Sequence, residues 1–222
     1  MQAALSSRDR HQGKPGGAGA APPYNRRVDA LHSIGLAAGL AWASGIRLYA
    51  VLFLAGALAH FGQLALPPGL AILAHPLVLG ASGLMAVGEF VADKVPAFDS
   101  LWDAFHTFIR VPAGAFLAAA ALGEADPAWV AAAAIVGGMI ASASHLAKAG
   151  GRALVNASPE PLSNWTVSLA EDLLVPAGFV AAVVTPLAFL VALALFLALA
   201  LWLLPKLLRA ARRLYRRLAG AQ

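Results

Sequence analysis

From Trp165 to Leu204 the chain runs through forty residues with only two charges, Glu171 and Asp172. As one helix this tract would be about 60 Å long at about 1.5 Å per residue, twice the apolar thickness of a bilayer. It must therefore be two spans broken near Thr185-Pro186, or one span preceded by an interfacial helix. Either way the chain is committed to a membrane. Composition agrees: 60% of the 222 residues are apolar and 12% are charged, where soluble domains carry about 25% charged residues. Mean hydropathy is +0.73.

Four more apolar segments precede that tract, at 33–62, 70–92, 100–122 and 128–149. LPPG at 66–69, Pro96, GEADP at 123–127 and the polar stretch 150–164 separate them. The expected fold is an all-α polytopic transmembrane helical bundle of about six helical segments. The alternative is four full spans with 99–123 as a re-entrant half-helix. Residues 1–28, rich in Gly, Ala and Pro, read as a disordered leader. Residues 29–204 form the transmembrane domain, and 205–222 read as a basic amphipathic tail on the membrane surface.

The net charge of +5 conceals an uneven distribution. Before Ser33 stand Arg8, Arg10, Lys14, Arg26 and Arg27 against Asp9 and Asp29; after Leu204 stand Lys206, Arg209, Arg212, Arg213, Arg216 and Arg217 with no acid. Between them five basic residues face nine acids, so the core is net −4 (five minus nine). Basic tails on a polytopic chain point to lipid rather than nucleic acid as partner. By the positive-inside rule they place both termini in the cytoplasm of a bacterial inner-membrane protein. With no cysteine, disulfides, zinc–thiolate sites and thiol catalysis are ruled out.

VPAG occurs at 111–114 and again at 175–178. Each copy follows an S-x-W triplet, Ser100–Trp102 or Ser163–Trp165, and each lies downstream of a Gly-rich apolar helix ending in polar residues. The repeats fall near 76–123 and 128–186. A fainter third copy aligns Ile46-Arg47 with Ile109-Arg110. Gly80, Gly83, Gly137 and Gly138 offer places for close helix approach.

The chain resembles the bacterial membrane-protein family catalogued as domain of unknown function 4126. The residues that carry the resemblance are SGIRLY at 44–49, EFVADKVPAFDSLWDAFHTFIRVPAGA at 89–115, and NASPEPLSN at 156–164 with Glu171-Asp172. It implies an integral membrane protein of several helices and implies no activity.

Within this apolar chain a polar stripe stands out. Asp99, Asp103, His106 and Arg110 lie at helical positions 0, 4, 7 and 11, one face of a helix. Asn164, Ser168 and Glu171 repeat the 0, 4, 7 spacing in the second copy, with Leu174 where Arg110 would be. A charge below the interface costs roughly 2.5–3.5 kcal/mol on insertion scales, so such residues face one another or a cavity. Glu89 and Asp93 form either a solvated helix end or a cation-ligand pair. Arg47, midway along the first apolar segment, finds candidate partners among the acids. Asp172 adjoins Glu171, so only one of the two shares the stripe with Ser168.

The leading functional reading is a small transporter or channel-like protein for a cation or a proton-coupled solute, its site where the repeats meet. Asp99, Asp103 and His106 are the candidate ligands for a divalent cation; no cofactor is otherwise evident. Two other readings stand: a lipid-headgroup binder or enzyme using Arg47, Arg110 and Arg152 on phosphate, and a structural membrane protein. Homo-oligomers are compatible with all three. Phosphate loops, nucleophile elbows and zinc-protease motifs do not occur, so catalysis has no sequence support.

Overall fold

The computed structural model describes residues 23–123, 125–156 and 161–219. They form α1 (Pro23–His60), a 3-10 helix (Pro68–Ala74), α2 (Pro76–Ala92), α3 (Pro96–Ala121), α4 (Pro127–Asn156), α5 (Pro161–Val184) and α6 (Pro186–Ala219). There is no strand among the described residues. All seven elements begin at a proline, which has no N–H to leave unsatisfied at a helix start and a φ already suited to it. Pro112, Pro176 and Pro205 instead lie inside continuous helices, which neighbouring helices permit in a membrane. The long apolar tract breaks at Thr185-Pro186. Of the expected leader, 1–22 lies outside the described residues, and Pro23 already opens α1. The basic tail continues α6 to Ala219 without a break.

Five helices are long and apolar enough to cross a membrane, six if the 3-10 helix and α2, bent by 70°, count as one span. The path of α1 decides how they are used. α1 is two helices joined at Arg47, where the backbone is extended (φ −142°, ψ 80°). His32, Ser33 and Leu36 line one cavity with Leu64, Leu66 and Pro67. On a straight helix residues 32 and 64 would stand about 48 Å apart. The chain therefore doubles back at Arg47, so that the arms 30–46 and 48–60 form a hairpin.

This hairpin is the centre of the bundle. Its most apolar window is 78% buried, against 17–33% in the other candidate spans. Non-helical backbone at membrane depth is tolerated where protein covers it, which is the situation of Arg47. Leu40, Ala41, Ala43, Val51 and Ala55 of the hairpin are buried with Leu117, Val175 and Phe179. The re-entrant element is thus α1 rather than 99–123, since α3 is one helix of 26 residues.

The remaining helices run between the two ends of the bundle. Ile34 shares a cavity with Leu122 and Trp129, so α1 begins beside the α3–α4 turn. Leu203 shares another with Leu146 and Gly151, so α6 leaves beside the end of α4. The chain enters and leaves the bundle at opposite ends.

Both repeats run in the same sense, α2 and α4 toward the Arg47 end, α3 and α5 away from it. The two arms of α1 repeat that sense. The VPAG glycines of both copies face the first arm: a Cβ on Gly114 would collide with Ala141 and Ser44, and one on Gly178 with the Trp42 ring. Gly137 packs as tightly against Ala118. Gly83 lies under the Phe53 ring and Gly138 beside Ala115, but Gly80 faces open space and brings no helices together.

Candidate functional site

The tip of α1, the α2–α3 turn, the first half of α3, the last turns of α4 and the first turns of α5 bring their polar side chains to one place. Breaking the helix at Arg47 releases the Ile46 carbonyl, and Lys148 Nζ donates to it at 3.2 Å. Arg47 Nη2 then reaches Asp93 Oδ2 and Asp172 Oδ1, each at 2.9 Å. It also donates to the backbone oxygen and hydroxyl of Ser168. The second repeat thus captures the tip through Ser168 and Asp172, and the first through Asp93.

Asp93 caps the end of α2 and is completely buried. Its Oδ2 meets Lys148 at 3.0 Å and Arg152 at 3.5 Å as well as Arg47. Burial alone opposes its ionisation, but Lys148, Arg47 and Arg152 outweigh burial and hold the carboxyl below its ordinary value. Arg152 pairs with Glu171 at 3.0 Å, donates to Asn164 Oδ1 at 2.6 Å and lies 3.9 Å from Asp99 Oδ2. Asn164 closes this layer by donating to the Asp93 carbonyl.

Deeper along α3, Arg110 donates to Asp103 Oδ1 at 2.6 Å and to Glu89 Oε1 at 2.7 Å. Lys148 bridges the layers, 3.6 Å from Asp103 Oδ1. Exposure falls along this route. Lys94 and Asp172, paired at 3.4 Å, are 18% and 19% exposed, whereas Arg110 and Glu89 are at 0%. A ladder of charges therefore leads from a half-open mouth at the α2–α3 turn to the middle of α3.

Six carboxylates (Glu89, Asp93, Asp99, Asp103, Glu171, Asp172) meet five cations (Arg47, Lys94, Arg110, Lys148, Arg152), leaving one negative charge in excess. The wider surplus of acid in the sequence between the basic tails comes from Glu124, Asp126 and Glu160.

Donor atoms of Asp93, Asp99 and Asp103 lie within 4.8 Å of one another, so by kind and spacing this triad could hold a metal ion. One oxygen of each of two members is shared with the cations, Asp93 Oδ2 with Arg47 and Lys148 and Asp103 Oδ1 with Arg110, while Asp93 Oδ1 and Asp103 Oδ2 are buried without a hydrogen-bond partner. A divalent ion would have to enter among them.

His106 is not part of the triad. Its Nδ1 faces the Trp102 carbonyl at 2.8 Å and its Nε2 faces the Tyr49 hydroxyl at 3.2 Å. Asp93 stands where the sequence pointed to His106. The arginines offered to lipid phosphate are likewise engaged by carboxylates.

Lys148, Arg152 and His145 are members that the leading sequence reading left out. They lie at 0, 3 and 7 from His145 on α4, a helical face like the one on α3, and that spacing was the available signal.

The family described as Domain of unknown function (DUF4126) matches residues 34–206, and the chain belongs to it. No curated protein and no solved structure matches. The matched span contains every member of the charge ladder.

Proposed function

We propose that this integral membrane protein is a small transporter that moves a cation, or a solute coupled to protons, through the charge ladder at the tip of α1. The observation that carries the reading is the Arg47 break. A discontinuous helix held inside a buried ionic cluster, between two copies of a repeated helix pair, is how many transporters build their sites. The ladder supplies exchangeable partners at each step, and its single excess negative charge favours a cationic visitor. The positive-inside rule assigns the mouth, with Lys94, Lys148, Arg152 and the basic end of α6, to the cytoplasm of a bacterial inner membrane.

The test is uptake into proteoliposomes of a panel of mono- and divalent cations, with and without an imposed pH gradient, by wild type and Asp103→Asn. Asparagine keeps an oxygen for Arg110 and removes the charge, so uptake is lost while the melting temperature is retained.

The near-balance of six carboxylates and five cations favours a second reading, in which the ladder only fastens the helices. No solute then moves, Asp103→Asn lowers the melting temperature, and exchanging the charges of Asp103 and Arg110 restores it.

A further inference from the structure

The two buried histidines differ in what their partners allow. His145 Nδ1 lies 3.3 Å from Arg110 Nη1, and its Nε2 lies 2.7 Å from Thr107 Oγ1. A guanidinium only donates, so Nδ1 must accept and the Nε2–H must donate to the threonine. The threonine hydroxyl donates onward to the Asp103 carbonyl at 2.9 Å. A proton on Nδ1 would cost the bond to Arg110 and set two cations face to face, with only the Gly45 carbonyl against the ring to receive the new N–H.

His106 has the opposite setting. Its Nδ1 donates to the Trp102 carbonyl at 2.8 Å, and a carbonyl accepts in either protonation state. Its Nε2 meets the Tyr49 hydroxyl at 3.2 Å. A hydroxyl donates or accepts according to its rotation. When Nε2 gains a proton, Tyr49 turns from donor to acceptor and no hydrogen bond of the ring is lost. The ring also stacks on Trp102, centroids 4.2 Å apart at 20°, with Tyr49 and Phe105 edge-on at 5.6 and 5.7 Å. An aromatic face attracts a cation, most strongly when water is excluded. His106 is 3% exposed.

We propose that His106 is a proton-binding site of this protein, charging reversibly against the face of Trp102 while His145 stays neutral. The proton comes from hydronium in the aqueous phase, whose O–H bond breaks to leave water as the N–H bond forms at the Nε2 lone pair, and the Tyr49 hydroxyl reverses. The charged and titratable groups around it are Arg110 and Asp103 on α3, Glu89 on α2 and Tyr49 on α1. Arg110 carries a charge of the same sign as the added proton, Glu89 and Asp103 of the opposite sign. His106 stands one turn from Arg110 on α3, so its charge state bears directly on the inner end of the ladder. The assignment deepens the transport reading by naming the proton as the coupled ion, and rests on that reading for its role in coupling.

The experiment is a fluorescence titration of the full-length protein in lipid nanodiscs between about pH 8 and pH 5, the range in which histidine changes charge. A charged imidazole stacked on indole quenches its emission. The Trp102 signal, taken as wild type minus Trp102→Phe, should fall reversibly on acidification. His106→Gln should keep the Trp102 emission and remove its pH dependence, whereas His145→Gln should leave the pH dependence in place. A Trp102 signal flat across the range in wild type overturns the proposal whether or not any variant folds. So does quenching that survives in His106→Gln or disappears in His145→Gln. Quenching without uptake in proteoliposomes keeps the proton site and discards transport; uptake with a flat Trp102 signal does the reverse.

Discussion

Arg110 and Glu89 meet at 2.7 Å with neither side chain exposed, near the middle of α3's apolar stretch Leu101–Ala121. The pair is 21 residues apart in sequence and joins α2 to α3. Removing Arg110 leaves Glu89 buried and uncompensated, which costs about 3–5 kcal/mol, whereas removing Glu89 leaves Arg110 with Asp103 and costs less. Glu89→Leu and Arg110→Met should each lower the melting temperature in detergent, Arg110→Met the more sharply. The double variant should recover part of the loss, since Asp103 then keeps only Lys148 at 3.6 Å, and a double variant no better than the singles would show that Asp103 dominates the cost.

Asp93 gives the ladder an acid limit. Its folded-state carboxyl is held below the ordinary value of 3.8 by Lys148, Arg47 and Arg152. Its contribution is therefore fully present above that ordinary value and is lost as pH falls through the lower folded value. Melting temperature against pH should be level at neutral pH and fall below about pH 4. Asp93→Asn should flatten that acid limb while lowering stability at neutral pH.

Cysteine is absent from the sequence, so single cysteines can report the path of α1 without background. His32→Cys and Ala125→Cys should react with an impermeant maleimide from the same face of oriented vesicles, and Arg209→Cys from the other. A straight α1 crossing would instead place position 32 with position 209.

Gly45 shows how closely the tip is gripped. A Cβ there would run into the Ser144 hydroxyl, the Ala141 carbonyl and the His145 backbone nitrogen. Gly45→Ala should cost about 1–3 kcal/mol through overpacking. Gly80, with nothing within 4 Å of a Cβ, should tolerate alanine and gain about 0.5–1 kcal/mol from the better helix former. Comparative melts of the two variants check both values.

Much of this was legible in the sequence because its signals are local. Prolines mark the starts of the helices, the apolar tract breaks at Thr185-Pro186, and the 0, 4, 7, 11 stripe of α3 faces inward as spacing required. Asp99, Asp103, Arg110, Asn164 and Glu171 do converge with Arg47, Glu89, Asp93 and Asp172. The reversal of α1 was not legible: hydropathy is high on both sides of Arg47, and what makes the break tolerable is cover from α3, α4 and α5. His106 lies outside the aspartate triad for a related reason. Helical spacing fixes the face a residue occupies, but not which of its neighbours its ring will meet, and Tyr49 comes from another helix.

The hairpin also sets an order of assembly. Arg47 is synthesised well ahead of its partners Ser168 and Asp172, which are over 120 residues downstream. Until α5 emerges, the guanidinium at the tip lacks two of its three carboxylate partners, and an unpaired arginine is expelled from lipid rather than held in it. The newborn α1 thus has reason to linger at the membrane surface or with the insertion machinery. The element at the centre of the finished bundle would then be the last to take its place, closing the structure like a plug.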